Sequence, residues 1–230
     1  LTHDDRLRGV LAHARVVFFD FDGPICDVFA GLPAPEVATQ LTALLAAQDE
    51  TAGAQAAETD DPIEVMRIAH EVDAELGQKV EQALTAAEVE AVALAGPPTS
   101  GAVEALESVR SSGRAVAVVS NNSAECVRSF LEAHGLDGYV ARVIGRPVGQ
   151  PHLMKPNPFP LIGAAEQMQM DITLCTLIGD SLTDVQAAHA AGATVIAYAN
   201  KPHKADLFAE AQADTITDDM RAIADALNAA

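Results

Sequence analysis

Four short runs of apolar residues, Val16–Phe19, Ala115–Val119, Leu174–Ile178 and Thr194–Ala199, do not alternate with polar positions. A strand that is apolar at every position has to be covered on both faces. A parallel sheet between layers of helices provides that cover, and an open antiparallel sheet does not. A weaker fifth run is Asp214–Thr217. Helical patterns separate the runs. "GAVEALESVRSSG" places Val103, Leu106 and Val109 on one stripe and stops at Gly113. "SAECVRSFLEAHG" offers Ser123 as an N-cap, turns Val127, Phe130 and Leu131 inward and stops at Gly135, and "TDVQAAHAAGA" is closed by Gly192. Strand and helix alternate, so the chain reads as α/β: a Rossmann-like parallel sheet of about five strands with helices on both faces.

One interval does not fit that rhythm. About ninety residues separate Asp22 from Ala115, whereas a whole βαβ unit needs roughly 30. The surplus holds three strong helical stretches, 35–48, 62–76 and 78–95, and "PPTSG" at 97–101 is a turn-rich return. The spacing therefore predicts a core from 1–25 and 97–230 with an all-helical cap inserted at 26–96. The acidic bridge 48–61 is expected to be a flexible or loosely packed connection.

The net charge of −19 excludes nucleic acid and anionic membrane as expected partners, because both are bound through basic patches. The three cysteines are far apart and form no CxxC pair, which argues against a disulfide framework and fits a reducing, cytoplasmic setting. No apolar run reaches the ~18 residues of a membrane span. The opening "LTHDDRLRGVLAHAR" has no apolar segment of the signal-peptide kind.

Ligands of open parallel sheets bind beyond the carboxyl ends of the strands. Asp20, Phe21 and Asp22 follow the first run; Ser120, Asn121 and Asn122 follow the second; Gly179, Asp180 and, one helical turn on, Asp184 follow the third. Lys155 lies in "HLMKPNPFP", before the third run. Four carboxylates converging on one edge repel each other unless a cation sits among them, and an all-oxygen donor set suits Mg²⁺. Alternate residues of an extended chain share a face, so Asp20 and Asp22 can address one pocket, while Asp184 is placed for an outer-shell or water-mediated contact. Lys155 can offset charge on Asp20 and on an anionic ligand.

These segments together, "FFDFDG", "VAVVSN", the lysine of "MKPNP" and "LIGDSLTD", in that order, resemble the four motifs of the haloacid dehalogenase superfamily, in its phosphoglycolate-phosphatase-like branch. The helical insertion is similar to that superfamily's C1 cap. The resemblance implies a Mg²⁺-dependent phosphatase acting on a small phosphorylated metabolite. Asp20 would be the nucleophile that takes up the phosphoryl group, and Asp22 the acid and base. Asp20, Asp22 (through its carbonyl), Asp180 and Asp184 form the candidate metal set, and Ser120, Asn121 and Lys155 the phosphoryl or substrate contacts. An acid at position 22 disfavours carbon–halogen cleavage, since a departing halide needs no proton.

A phosphomutase, which needs the same four motifs, is the enzymatic alternative. A non-catalytic binding or regulatory protein on the same scaffold is the alternative from another class. Arg67 in the cap and His152 near Lys155 are weaker candidates for gripping an anion. Pro24 departs from the residues common after the motif glycine and is expected to stiffen the hinge into the cap.

Overall fold

The computed structural model describes residues 3–228. Its sheet has six parallel strands: β1 (Val16–Phe19), β2 (Ala115–Val119), β3 (Arg142–Ile144), β4 (Cys175–Gly179), β5 (Thr194–Tyr198) and β6 (Thr215–Thr217), in the order β3-β2-β1-β4-β5-β6. The first helix, α1 (His3–His13), precedes β1. Four helices follow β1: α2 (Ala34–Ala46), α3 (Glu50–Ala56), α4 (Pro62–Val72) and α5 (Ala74–Leu94). The remaining helices alternate with the strands: α6 (Ala102–Ser111), α7 (Ala124–Ala133), α8 (Phe159–Gln167), α9 (Leu182–Ala191), α10 (Lys204–Glu210) and α11 (Arg221–Asn228).

The apolar runs became strands because both of their faces are buried. Val16 and Phe18 of β1 pack with Leu161 and Ala164 of α8, Val185 and Ala188 of α9 and Phe208 of α10. Their alternates Val17 and Phe19 are fully buried too, and pleating puts those on the opposite face. Helices α1 and α6 pack on α11, with α6 against β2 and α1 against β5 and β6.

The α/β reading holds, with one strand more than about five. β3 was invisible in the sequence because it is a three-residue edge strand whose Arg142 is exposed and whose Val143 and Ile144 are only half-buried. Short, half-wet strands carry no continuous apolar run.

Contacts divide the chain into two compact units, one of residues 1–27, 97–146 and 153–230, the other of 28–96 and 147–152. The second unit is helical, with α4 packed against α5 and α2 against α3 and α4. Part of its 48–61 segment corrects the expectation of a loose connection. Asp49 caps α3 by accepting from the Ala52 N–H at 2.8 Å, and Ala52, Gly53 and Ala56 are buried. Small residues can bury a helix face with little apolar signal in the sequence. The Gly53 backbone lies so close to Ala46 of α2 that a Cβ there would collide with it.

The three cysteines are free and buried. Burial, helped by Asp22 and Asp27, pushes the Cys26 thiol well up, so it is inert packing rather than a nucleophile. No described helix is long and apolar enough to cross a membrane.

Candidate active site

The strand order reverses its sequence direction between β1 and β4, which leaves a crevice beyond their carboxyl ends. Phe19 pairs with Val118 on one side and Ile178 on the other, so the residues after β1, β2 and β4 come out side by side. The Asp20 N–H still donates to the Ile178 carbonyl at 2.8 Å, keeping Asp20 in the sheet's register.

Lys155 is the hub. It is 1% exposed, and its Nζ donates to Asp184 Oδ1 at 2.6 Å, to Asp20 Oδ1 at 3.0 Å and to the Val119 carbonyl at 3.0 Å. Burial alone would lower the ammonium's pKa, but the Asp184 and Asp20 carboxylates hold it above the ordinary lysine value. Asn121 fixes the lysine's backbone from both sides. Its Nδ2 donates to the Lys155 carbonyl at 3.0 Å, and its Oδ1 accepts from the Lys155 N–H at 2.9 Å. The amide of Asn121 thus positions Lys155.

Asp184 is wholly buried, and its other oxygen, Oδ2, accepts from the Ser181 hydroxyl at 2.6 Å and the Ser181 N–H at 3.1 Å. The second of these, with the Asp184 N–H donating back to the Ser181 hydroxyl at 3.2 Å, forms a capping box at the start of α9. One oxygen each from Asp20, Asp180 and Asp184 lies within 4.8 Å of the others. Proximity alone would make all three metal ligands. The donors already on both Asp184 oxygens favour Asp20 and Asp180, with Asp184 holding Lys155.

Burial, then the Asp184 and Asp180 charges, push the Asp20 carboxyl up to about 8 against the opposing pull of Lys155. A hard divalent cation held by these carboxylate oxygens would favour the ionised form of Asp20, and the residues present fit one.

Asp22 is half-buried in the turn after β1, and its carboxylate is outside the three-oxygen cluster. The turn is closed on the Phe21 carbonyl by the N–H groups of Ile25 at 3.1 Å and Cys26 at 3.0 Å, while Gly23 donates to the Cys26 carbonyl at 2.7 Å. Pro24 fits because no donor is needed from it. Thr99 ties the turn down, with its hydroxyl on the Gly23 carbonyl at 2.7 Å and its N–H on the Ile25 carbonyl at 2.9 Å.

Gly23 has φ +93°, and a Cβ there would fall 2.5 Å from Asp180 Cγ. A Gly23→Ala variant is therefore expected to displace the Asp180 carboxylate. Its kcat/KM should fall at least about a hundredfold, with a stability loss of only about 1–2 kcal/mol by urea denaturation.

Ser120 is buried, with its hydroxyl donating to Asn122 Oδ1 at 3.2 Å and accepting from the Asn122 N–H at 3.2 Å. Three contacts near the site escaped sequence reasoning. Buried Arg146 donates to the Asn121 carbonyl at 3.1 Å. Lys204 and Asn200 both donate to Asp180, at 2.6 and 2.8 Å. None of them belongs to a recognisable motif. For Lys204 and Asn200 the signal available was a basic or amide residue soon after the β5 run, whereas Arg146 follows the three-residue β3.

Arg67 and His152 line a cavity of about 370 Å³ in the second unit, together with His70 and Gly149. Arg67 pairs with Glu64 at 3.3 Å. His70 faces buried Glu81 at 3.2 Å, and the same Glu81 oxygen accepts from the Gly149 N–H at 2.9 Å.

Known proteins resemble the chain in sequence and in fold. The phosphoglycolate phosphatase of Thiobacillus denitrificans is 34% identical over 106 residues, 46% of each chain. That of Xylella fastidiosa strain 9a5c is 27% identical over 186 residues, 79% of this chain and 78% of its own. The chain spans about half the length, or less, of the relatives that share a third of the aligned residues. The solved L-2-haloacid dehalogenase of Xanthobacter autotrophicus superposes with a TM-score of 0.58 at 13% identity, covering 94% of this chain and 98% of that one, which is a likeness of fold. The family profile described as haloacid dehalogenase-like hydrolase matches residues 14–192, and the chain belongs to that family.

Proposed function

We propose that the protein is a Mg²⁺-dependent phosphatase that hydrolyses a small phosphomonoester through a phosphoryl group carried on Asp20. The observation that carries this reading is the buried Asp20 carboxylate at the end of β1, paired with Lys155 and within a few ångströms of Asp180.

Asp20 and Asp180 would hold the cation, with the Asp22 carbonyl as a further donor. When bound, Mg²⁺ would supply charge neutralisation to the phosphoryl oxygens. Asp20 attacks phosphorus, forming a P–O bond as the bond to the leaving alkoxide breaks. Asp22, protonated beforehand, gives its proton to that oxygen. As a carboxylate it then takes one from the water that releases phosphate, so Asp20 and Asp22 return to their starting forms. Lys155 lies against Asp20 and supplies positive charge where the phosphoryl oxygens gather. Ser120 and the backbone N–H groups after β2 are the further oxygen contacts. Three buried free thiols suit a reducing compartment, and we place the protein in the cytoplasm.

The names of the relatives make 2-phosphoglycolate the first substrate to try. The test is phosphate release from a panel of small phosphomonoesters and an aryl phosphate, with Mg²⁺ and with excess chelator. Turnover of at least one panel member, lost on chelation and restored by Mg²⁺, is the expected result. Activity that appears only with a sugar phosphate acceptor would point to the mutase. Equal, negligible rates for wild type and Asp20→Asn across the panel would sink the enzymatic reading in favour of a binding protein.

A further inference from the structure

Asp180 is already partnered by a cation of the protein's own. Lys204, the first residue of α10, donates from Nζ to Asp180 Oδ2 at 2.6 Å and to the Asp180 carbonyl at 2.7 Å. Asn200 adds a 2.8 Å bond to the same Oδ2. Among the described residues, Oδ1 has no donor. The Lys204 and Asp180 side chains are 19% and 16% exposed, so the pair is largely withdrawn from water, where charge interactions are screened weakly. The three carboxylates of the cluster are thus met by two ammonium groups, Lys155 on Asp20 and Asp184, and Lys204 on Asp180.

We infer that Lys204 is the resident counter-cation of the metal centre: it neutralises Asp180 before a divalent cation arrives and opposes that cation afterwards, so it sets the Mg²⁺ affinity. The inference rests on Mg²⁺ being held by Asp20 and Asp180. Two opposite effects follow from an ammonium on a metal ligand. It orients the carboxylate, and it repels the incoming charge. Orientation survives without Lys204, because Asn200 bonds the same oxygen and Gly23 packs closely against the carboxylate. The repulsion between a single and a double positive charge a few ångströms apart does not survive, and in a partly buried site it outweighs the two hydrogen bonds that Lys204 gives. The metal-free protein gains in return. Without Lys204, the Asp180 carboxylate would face the nearby Asp20 and Asp184 carboxylates with no cation of its own.

The test is calorimetric titration of the metal-free protein with Mg²⁺ at low ionic strength, alongside thermal melting with and without Mg²⁺. Lys204→Gln keeps a donor and loses the charge, Lys204→Met loses both, and Lys204→Arg keeps the charge. Both uncharged variants should bind Mg²⁺ at least about tenfold tighter than wild type. They should melt lower without metal, show a larger Mg²⁺-induced rise in Tm, and lose much of the affinity gain in about 0.5 M salt. Lys204→Arg should stay within about twofold of wild type. Unchanged or weaker Mg²⁺ binding by Lys204→Gln overturns the inference, and it does so even if Lys204→Met does not fold. Wild type and Asp180→Asn giving the same isotherm would instead overturn the Mg²⁺ reading itself, and the role of Lys204 with it.

Discussion

Replacing Asp20 with asparagine is expected to lower kcat by about four orders of magnitude or more, while the protein stays folded. An amide is nearly isosteric with the carboxylate and keeps an oxygen for the Phe21 N–H, which Asp20 Oδ1 accepts at 2.7 Å. It cannot carry a phosphoryl group. Stability separates this variant from one that merely unfolds. The Asp20 carboxyl is raised by burial and by Asp184 and Asp180 from 3.8 to about 8, so in chelator the folded protein binds a proton there that the unfolded chain has already released. That contribution to stability is complete below about pH 4 and is lost as the pH rises towards 8. Urea denaturation of metal-free wild type should therefore show a decline across that window, and Asp20→Asn should show less of it. An Asp20→Asn variant with near-wild-type turnover would end the case for Asp20 as the nucleophile.

Lys155→Met should have the largest effect on stability, about 3–5 kcal/mol, together with loss of turnover. Methionine fills similar volume, so the loss comes from charge. It leaves the wholly buried Asp184 and the buried Asp20 facing each other with no ammonium between them. The pair Lys155→Met with Asp184→Asn should recover a good part of the stability and none of the activity, because the amide removes one stranded charge but restores no cation. Denaturant midpoints for the two singles and the double give the coupling directly. Additive losses would mean that the buried ion pair is not what holds this loop. The wild-type contribution should persist up to about pH 10, since the ammonium is held above its ordinary value, and fade only in stronger alkali.

The sheet and its acidic edge were legible because each rests on neighbours in the chain. Runs such as Val16–Phe19 are apolar throughout, so they had to be covered on both faces, and the carboxylate after each run had to emerge at a strand end. β3 and α3 were not legible, one because an edge strand of three residues has no run, the other because alanine and glycine bury a face without announcing it. Asn121 could be placed near a ligand by its position after β2, but only the fold shows its amide closing on the backbone of Lys155, thirty-four residues away.

The sequence alone determined the kind of sheet, the insertion after the first strand, and the acids Asp20 and Asp180 at two strand ends, all of them local consequences of hydrophobic pattern and spacing. The tertiary structure decided the partners. Lys155 meets both Asp20 and Asp184, Lys204 meets Asp180, and Thr99 holds Gly23. Such contacts depend on which strands lie side by side, and an interaction that acts over a few ångströms leaves no periodic trace in a chain whose partners are 24 to 135 positions apart.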